Sequence, residues 1–348
     1  MKKKVFLITA VGFCLIMPAL SNLTPAFAQA QKTIELSFAH TIPPVVPLAK
    51  AYMNWAQKVA EFSNGRVKIN IFWGESLLKA AEFYRGVQTG QADMAYYVVG
   101  LDWGLMPLNM FTKLGFMGYP SRSVGTEIYH KIWNEFPEVR GEFKGVKVFA
   151  SRMQPGNQLS FTKKEVRIPE DIRGMKIIAL GGTFAEEMAA MGAAPIDVKV
   201  GDMYMALDRG MAEGISALMP VLDGFGILKL LPYHTMFEGG ATQSIDMVLM
   251  NEKTWNKLPP DIQKIFEDLD AYLGQQLRES DGMALDRAMA SAKEMNHTFI
   301  TPTPEEMQLW IDAVQPIHQK WITETEAKGL PAKAVYEETK RLIREYQK

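Results

Sequence analysis

Five histidines, His40, His130, His234, His297 and His318, are scattered over 348 residues, and no two stand at metal-ligand spacing. Four of them read as surface or satisfied core residues. His40 stands apart because it directly follows the alternating run Ile34, Leu36, Phe38, and ligands collect beyond strand ends in open α/β sheets. Gly181-Gly182-Thr183 is open to two readings. Its backbone N–H groups at a helix start suit a carboxylate, sulfonate or phosphate, or its glycines serve a tight turn. Tyr96, Tyr97 and Trp103, on and just after another apolar run, are either pocket walls or core, whereas Met203, Met205, Met211 and Met219 read mainly as packing. GxxxxGK[ST], GxGxxG after a strand, HExxH and GxSxG are all absent, which removes the common signatures of nucleotide, dinucleotide, zinc-protease and α/β-hydrolase sites. No metal and no cofactor is expected.

The elements that must position these residues alternate. Thr33–Phe38 reads as a strand, Leu48, Tyr52, Trp55, Val59 and Phe62 mark one face of a helix stopped by Ser63-Asn64-Gly65, and Val67, Ile69 and Ile71 alternate again. This strand, helix, strand unit predicts an α/β protein with a largely parallel sheet. Further strands are predicted at 94–99, 146–150, 175–180, 245–250 and 298–300, and helices near 80–88, 124–136, 202–209 and 225–233. Gln154-Pro155-Gly156-Asn157 is a plausible crossing between lobes. A helix starting at Pro259-Pro260-Asp261 and running to about Met295 is far longer than the usual ~11 to 12 residues, so it is expected to lie across more than one domain.

Composition bounds the function. With 47% hydrophobic and 22% charged residues the chain is a folded globular protein, and 38 Lys+Arg against 39 Asp+Glu leaves no basic excess for nucleic acid. Lys2, Lys3 and Lys4, the apolar run Val5–Met17 and Ala26-Phe27-Ala28 predict an export signal over residues 1–28, cleaved after Ala28. The run is too short to be a membrane anchor, and no second stretch approaches spanning length. The one cysteine, Cys14, falls inside this signal, so the mature chain has no disulfide or thiol nucleophile and carries a net charge of −4. A soluble periplasmic location is expected.

Several segments, in order and spacing, resemble the solute-binding proteins of tripartite ATP-independent periplasmic (TRAP) transporters, the C4-dicarboxylate-binding (DctP) type. They are Glu61-Phe62-Ser63-Asn64-Gly65-Arg66-Val67, Gly86-Val87-Gln88-Thr89-Gly90-Gln91-Ala92-Asp93-Met94, Ile168-Pro169-Glu170-Asp171-Ile172-Arg173-Gly174-Met175-Lys176-Ile177, Tyr204-Met205-Ala206-Leu207-Asp208-Arg209-Gly210-Met211-Ala212-Glu213-Gly214 and Leu258-Pro259-Pro260-Asp261-Ile262-Gln263. The resemblance covers essentially the whole mature chain. It implies a two-lobed α/β fold of periplasmic-binding-protein type (type II-like), with two mixed sheets flanked by helices and a long helix bracing both lobes. Lobe I would comprise 31–152 and about 242–280, and lobe II 153–241 and about 281–348. It further implies a monomeric receptor, not an enzyme, that closes on one small organic solute and delivers it to small and large permease subunits driven by an ion gradient.

The departures from the family pattern bear on the ligand. Ile178 stands where the family usually carries the arginine that grips a carboxylate through a two-pronged salt bridge. A frequent polar position falls near Ala217, and a basic one appears as Gln158. Three readings compete. Arg152 supplies the cation from another backbone position with help from Gly181-Gly182; or the ligand is neutral or aromatic, held by Tyr97, Trp103 and Met219; or it carries an amine facing Glu82, Asp223 and Glu238. A different class, an exported hydrolase pairing Glu82 with Glu238 or Asp223, needs two carboxylates to meet across a cleft. A sensor presenting the same fold to a membrane receptor is a third possibility.

Overall fold

The computed structural model describes residues 33–100, 104–179 and 182–348. The expected signal, its cleavage site, Trp103 and Gly181 lie outside the described residues. Eleven strands form two sheets among the described residues: β1 (Ile34–Ala39), β2 (Val67–Phe72), β3 (Met94–Val98), β4 (Val146–Met153), β5 (Gln158–Phe161), β6 (Lys176–Ala179), β7 (Ala194–Ile196), β8 (Gly214–Ala217), β9 (Tyr233–Thr235), β10 (Ile245–Asn251) and β11 (Thr298–Ile300). The first sheet has the order β2-β1-β3-β10-β4 and the second β11-β9-β5-β8-β6-β7. β1 lies parallel to β2 and β3, and β10 returns from late in the chain to pair antiparallel with β3 and β4. In the second sheet β6 is parallel to β7 and β8, while β5 runs antiparallel to β8 and β9. Both sheets are therefore mixed.

Helices cover both faces of each sheet, so β8 and β10 are buried along their whole length, whereas β1 and β2, toward one edge, alternate and keep partly exposed positions. On one face of the first sheet Phe38, Met94, Tyr96 and Val248 pack with Trp55 and Val59 of the helix Pro47–Phe62. On the other, Tyr97 and Leu249 pack with Ile128 and Ile132 of Arg122–Glu135 and Leu342 of Ala332–Tyr346. The same parity splits Ile177 from Ile178 on the second sheet. Ile177 meets Trp310 and Val314 of the helix Pro304–Glu326, and Ile178 meets Met203, Leu207 and Leu222.

The predicted long helix is two helices, Pro260–Asp268 and Asp270–Glu294, with Leu269 between them outside helical geometry. At 1.5 Å per residue the 25 residues of the second span about 37 Å. Leu273 and Leu277 enter the core of the first sheet, and Ala288 and Ala292 that of the second. One rigid element thus braces both lobes. The expected helix at 225–233 is absent: only the 3₁₀ turn Leu228–Leu230 forms before β9 begins at Tyr233. Gly224 and Gly226 interrupt that segment, and the apolar side chains Ile227, Leu228 and Leu231 reach the core without helical backbone.

Candidate functional site

Besides the bracing helix, two loop segments carry the chain between the lobes, residues 154–157 from β4 to β5 and residues 236–244 from β9 to β10. They are zipped together: Gln154 donates its N–H to Ser244 O (2.8 Å), Asn157 to Thr242 O (2.9 Å), and Ala241 to Asn157 O (2.8 Å). The approach demands glycine. A Cβ on Gly156 would lie 2.0 Å from Gly239 O, and Gly239 and Gly240 adopt φ of +74° and +92°.

Beside this crossing, lobe I buries a charged cluster. Arg152 Nη2 donates to Asp246 (2.8 Å), Arg152 Nη1 to Asp281 on the bracing helix, and Arg122 Nη1 to Asp281 from the other side (3.1 Å). Tyr96 Oη donates to Asp246 (3.2 Å) and accepts from Gln154 Nε2 (2.8 Å), which ties the cluster to the crossing. Strand parity alone would set Phe149 and Arg152 on opposite faces. A bulge at Ala150, with φ of +48° and a register shift against β10, returns Arg152 to the face of Phe149 and of the bracing helix. Burial raises the Asp246 carboxyl and Arg152 only partly offsets it, so the group settles at about 6 and is ionised at neutral pH. Burial works against the Arg152 charge, but Asp246 and Asp281 outweigh it and hold the guanidinium above its ordinary value.

His40 stacks on Tyr96 at 4.5 Å between ring centroids and meets the edge of Tyr52, also at 4.5 Å. Its Nδ1 accepts from Ile42 N–H (3.2 Å), which places the proton on Nε2, a buried donor without a partner among the described residues. Burial depresses its pKa to about 3, so it is a neutral hydrogen-bond donor.

A cavity of about 180 Å³ opens at the crossing, with walls from both lobes. Pro155, Gly156 and Gly239 belong to the crossing, Leu218, Met219 and Pro220 follow β8, and Leu285 comes from the bracing helix. Arg122, at the start of Arg122–Glu135, is the one charged residue among the described residues that line it. Gln158 also lines it, but its amide is engaged at both ends, with Oε1 accepting from Phe237 N–H (2.7 Å) and Nε2 donating to Phe237 O (3.2 Å).

The sequence-predicted residues divide accordingly. Gln158 and Met219 reach the cavity, with Ala217 directly opposite Gln158 in the sheet. His40 belongs to the neighbouring aromatic cluster. Arg152 is 2% exposed and already holds two carboxylates, so it is a structural cation and not the displaced clamp. Tyr97 faces the opposite core, against Tyr84 and Phe143, and Tyr96, its neighbour of opposite parity, is the tyrosine at the cluster. Ile178 is fully buried among apolar side chains, leaving no cation at that strand position. The expected acidic set does not assemble. Glu82 is exposed and accepts from Lys79 N–H (3.3 Å), Glu238 is exposed, and Asp223 pairs with Arg287 (3.3 Å). Arg122, Asp246, Asp281 and Gln154 carried no local signal, because partners 92 to 159 residues apart in the chain make them a group.

Residues 38–325 match the family described as bacterial extracellular solute-binding protein, family 7. The chain is 26% identical over 304 residues to a monocarboxylate 2-oxoacid-binding periplasmic protein of Nostoc, covering 82% of this chain and 77% of that one. It is 22% identical over 327 residues to the C4-dicarboxylate-binding periplasmic protein DctP of Rhodobacter capsulatus, covering 90% of each. A TRAP periplasmic solute-binding protein from Desulfovibrio salexigens superposes with a TM-score of 0.80 at 25% identity, over 90% of this chain and 96% of that one.

Proposed function

Since the chain belongs to family 7 of the bacterial extracellular solute-binding proteins, we propose that it closes on one small organic acid and hands it to the small and large membrane subunits of a TRAP permease. The carrying observation is the cavity at the crossing, whose walls come from both lobes and whose lining among the described residues holds a single charge, that of Arg122. A ligand there gains contacts that exist only when the lobes are together, which is what drives closure. A cationic ligand would oppose Arg122, and the acids expected to receive an amine are exposed or paired elsewhere. The Nostoc relative's monocarboxylate ligands point the same way.

The fold and family are those of transport receptors, and the two-carboxylate arrangement a hydrolase needs does not assemble from Glu82, Asp223 and Glu238. Export with cleavage after Ala28, a periplasmic location and a monomeric state complete the proposal. The lobes proposed are 31–152 with about 242–280 and the returning helix Ala332–Tyr346, which packs on the first sheet and so departs from the expected bound of 281–348, and 153–241 with about 281–331.

The test is a thermal-shift screen of mature protein, unfolded and refolded once to strip carried ligand, against acids, sulfonates, alcohols, amines and aromatics. An acid at 100 times its dissociation constant stabilises by about 2.7 kcal/mol, and the same acid should compact the protein in small-angle scattering. Stabilisation by amines alone overturns the acid reading, and turnover of any panel compound overturns the receptor reading.

A further inference from the structure

Three arginines in this chain show how a guanidinium here grips a carboxylate. Arg167 donates from Nε and Nη2 to the two oxygens of Glu306 (2.7 and 3.1 Å), Arg173 does the same to Glu170 (2.6 Å for each), and Arg341 to Glu338 (2.7 and 2.6 Å). The Nε–Nη2 edge is the side-on fork that matches a carboxylate's geometry. Arg122 uses only Nη1, on Asp281, and its Nε–Nη2 edge makes no hydrogen bond among the described residues. Its side chain is 27% exposed and lines the cavity, whereas that of Arg152 is 2% exposed with Nη1 and Nη2 both engaged.

We propose that Arg122 is the ligand's anion clamp, receiving one carboxylate or sulfonate on its Nε–Nη2 edge, and that the rest of the ligand is an apolar body about the size of a benzene ring. This rests on the receptor reading above and names the ligand class of that same cavity. Nη1 stays on Asp281 while the ligand binds, so the guanidinium bridges two anions, and Asp281 keeps Arg152 as a second cation. The body of the ligand follows from the lining and the space. Leu218, Met219, Pro220, Met236 and Leu285 are apolar, and about 180 Å³ slightly exceeds the ~150 Å³ of an apolar cavity that admits benzene. Among the described residues the lining offers no second cation for a second carboxylate.

Calorimetry on the refolded mature protein decides it, with benzoate, phenylacetate, cyclohexanecarboxylate and benzenesulfonate as probes and succinate, benzamide and benzylamine as controls. The monoanions with apolar bodies bind, and benzamide, isosteric but uncharged, binds roughly 30-fold or more weakly. Arg122→Gln lowers benzoate affinity by a similar factor and erases the preference over benzamide. Arg122→Lys, which keeps the charge and loses the fork, falls between. Should Arg122→Gln not fold, Arg122→Lys and the benzoate-to-benzamide ratio carry the test. If an acid binds the wild type and Arg122→Gln holds it equally well, the clamp is wrong while the receptor stands. Succinate binding as tightly as benzoate overturns the ligand class, and a protein that binds only amines overturns both readings.

Discussion

Two guanidiniums meet at the carboxylate of Asp281 with opposite surroundings. Arg152 is sealed under the bracing helix with Asp246 on its other nitrogen, whereas Arg122 approaches from the first turn of a helix and keeps an open edge at a cavity. Residue type and even a shared partner therefore do not decide whether an arginine builds the fold or meets a ligand. What decides is how many of its donors are used and whether water or a solute can reach the rest.

The comparison breaks most visibly if Arg152 proves dispensable. Arg152→Met leaves Asp246 buried without its partner, so that the carboxyl either stays charged at a cost or takes up a proton, and urea unfolding should show a loss of about 3–5 kcal/mol. Adding Asp246→Asn should recover much of that loss, because the penalty lies in the orphaned charge. A single variant within 1 kcal/mol of wild type would mean that the cluster is not sealed.

Acid should act on the sealed side as well. Burial holds His40 neutral down to about 3, and His234 and His318 down to about 4, the latter pair on β9 and on the helix Pro304–Glu326. Unfolded histidines take up protons near 6.5, so each contributes stability that is complete above that pH and is lost as pH falls from 6.5 toward 3 or 4. Asp246 runs the other way. Its folded value of about 6 lies above the ordinary 3.8, so it loses stability as pH rises across that window. Burial raises Glu187, Glu142 and Asp270 in the same direction, so the histidine contribution is read as a difference between two proteins. Between pH 7 and pH 5.5 the wild type should lose about 1 kcal/mol more stability than His318→Gln, and identical pH profiles would contradict the buried neutral state of that ring.

Gly156→Ala probes the crossing where the cavity lies. With Gly239 O only 2.0 Å from the new Cβ, one segment must shift, at a cost of about 1–3 kcal/mol. Gly141→Ala, where a Cβ meets nothing within 4 Å, is the control and should be neutral to slightly stabilising. Equal effects at the two glycines would show that the crossing yields more than its packing suggests.

The sequence made the architecture readable where local physics suffices. Alternation predicted β1 and β2, the strands expected at 245–250 and 298–300 form as β10 and β11, the Gln154-Pro155-Gly156-Asn157 break marked a crossing, and the Pro259-Pro260 start announced the bracing element. It failed where the answer depends on parity or distance. Tyr96 and Tyr97 look alike until the helices over each face are placed, and the bulge that turns Arg152 inward rests on an alanine with positive φ. Arg122 follows Ser121, whose side chain accepts from Val124 N–H, so the sequence there reads only as a capped helix start. Its meaning comes from Asp281, 159 residues away, and from the two crossing glycines and two methionines across the cavity.

The smallest effect is the sharpest discriminator. Arg122→Gln removes one arm of a partly exposed pair, and Asp281 is left facing Arg152 and not an empty core. Partly exposed pairs contribute roughly 0–1 kcal/mol, so the unfolding free energy should move by less than 1 kcal/mol. A substitution at the same carboxylate would then cost almost nothing in the fold while removing ligand affinity, the mirror image of Arg152→Met. A loss of 3 kcal/mol or more at Arg122 would erase the distinction and return it to the structural cluster. Near-neutral stability with unchanged benzoate affinity would leave the cavity as a receptor site in need of a different anchor.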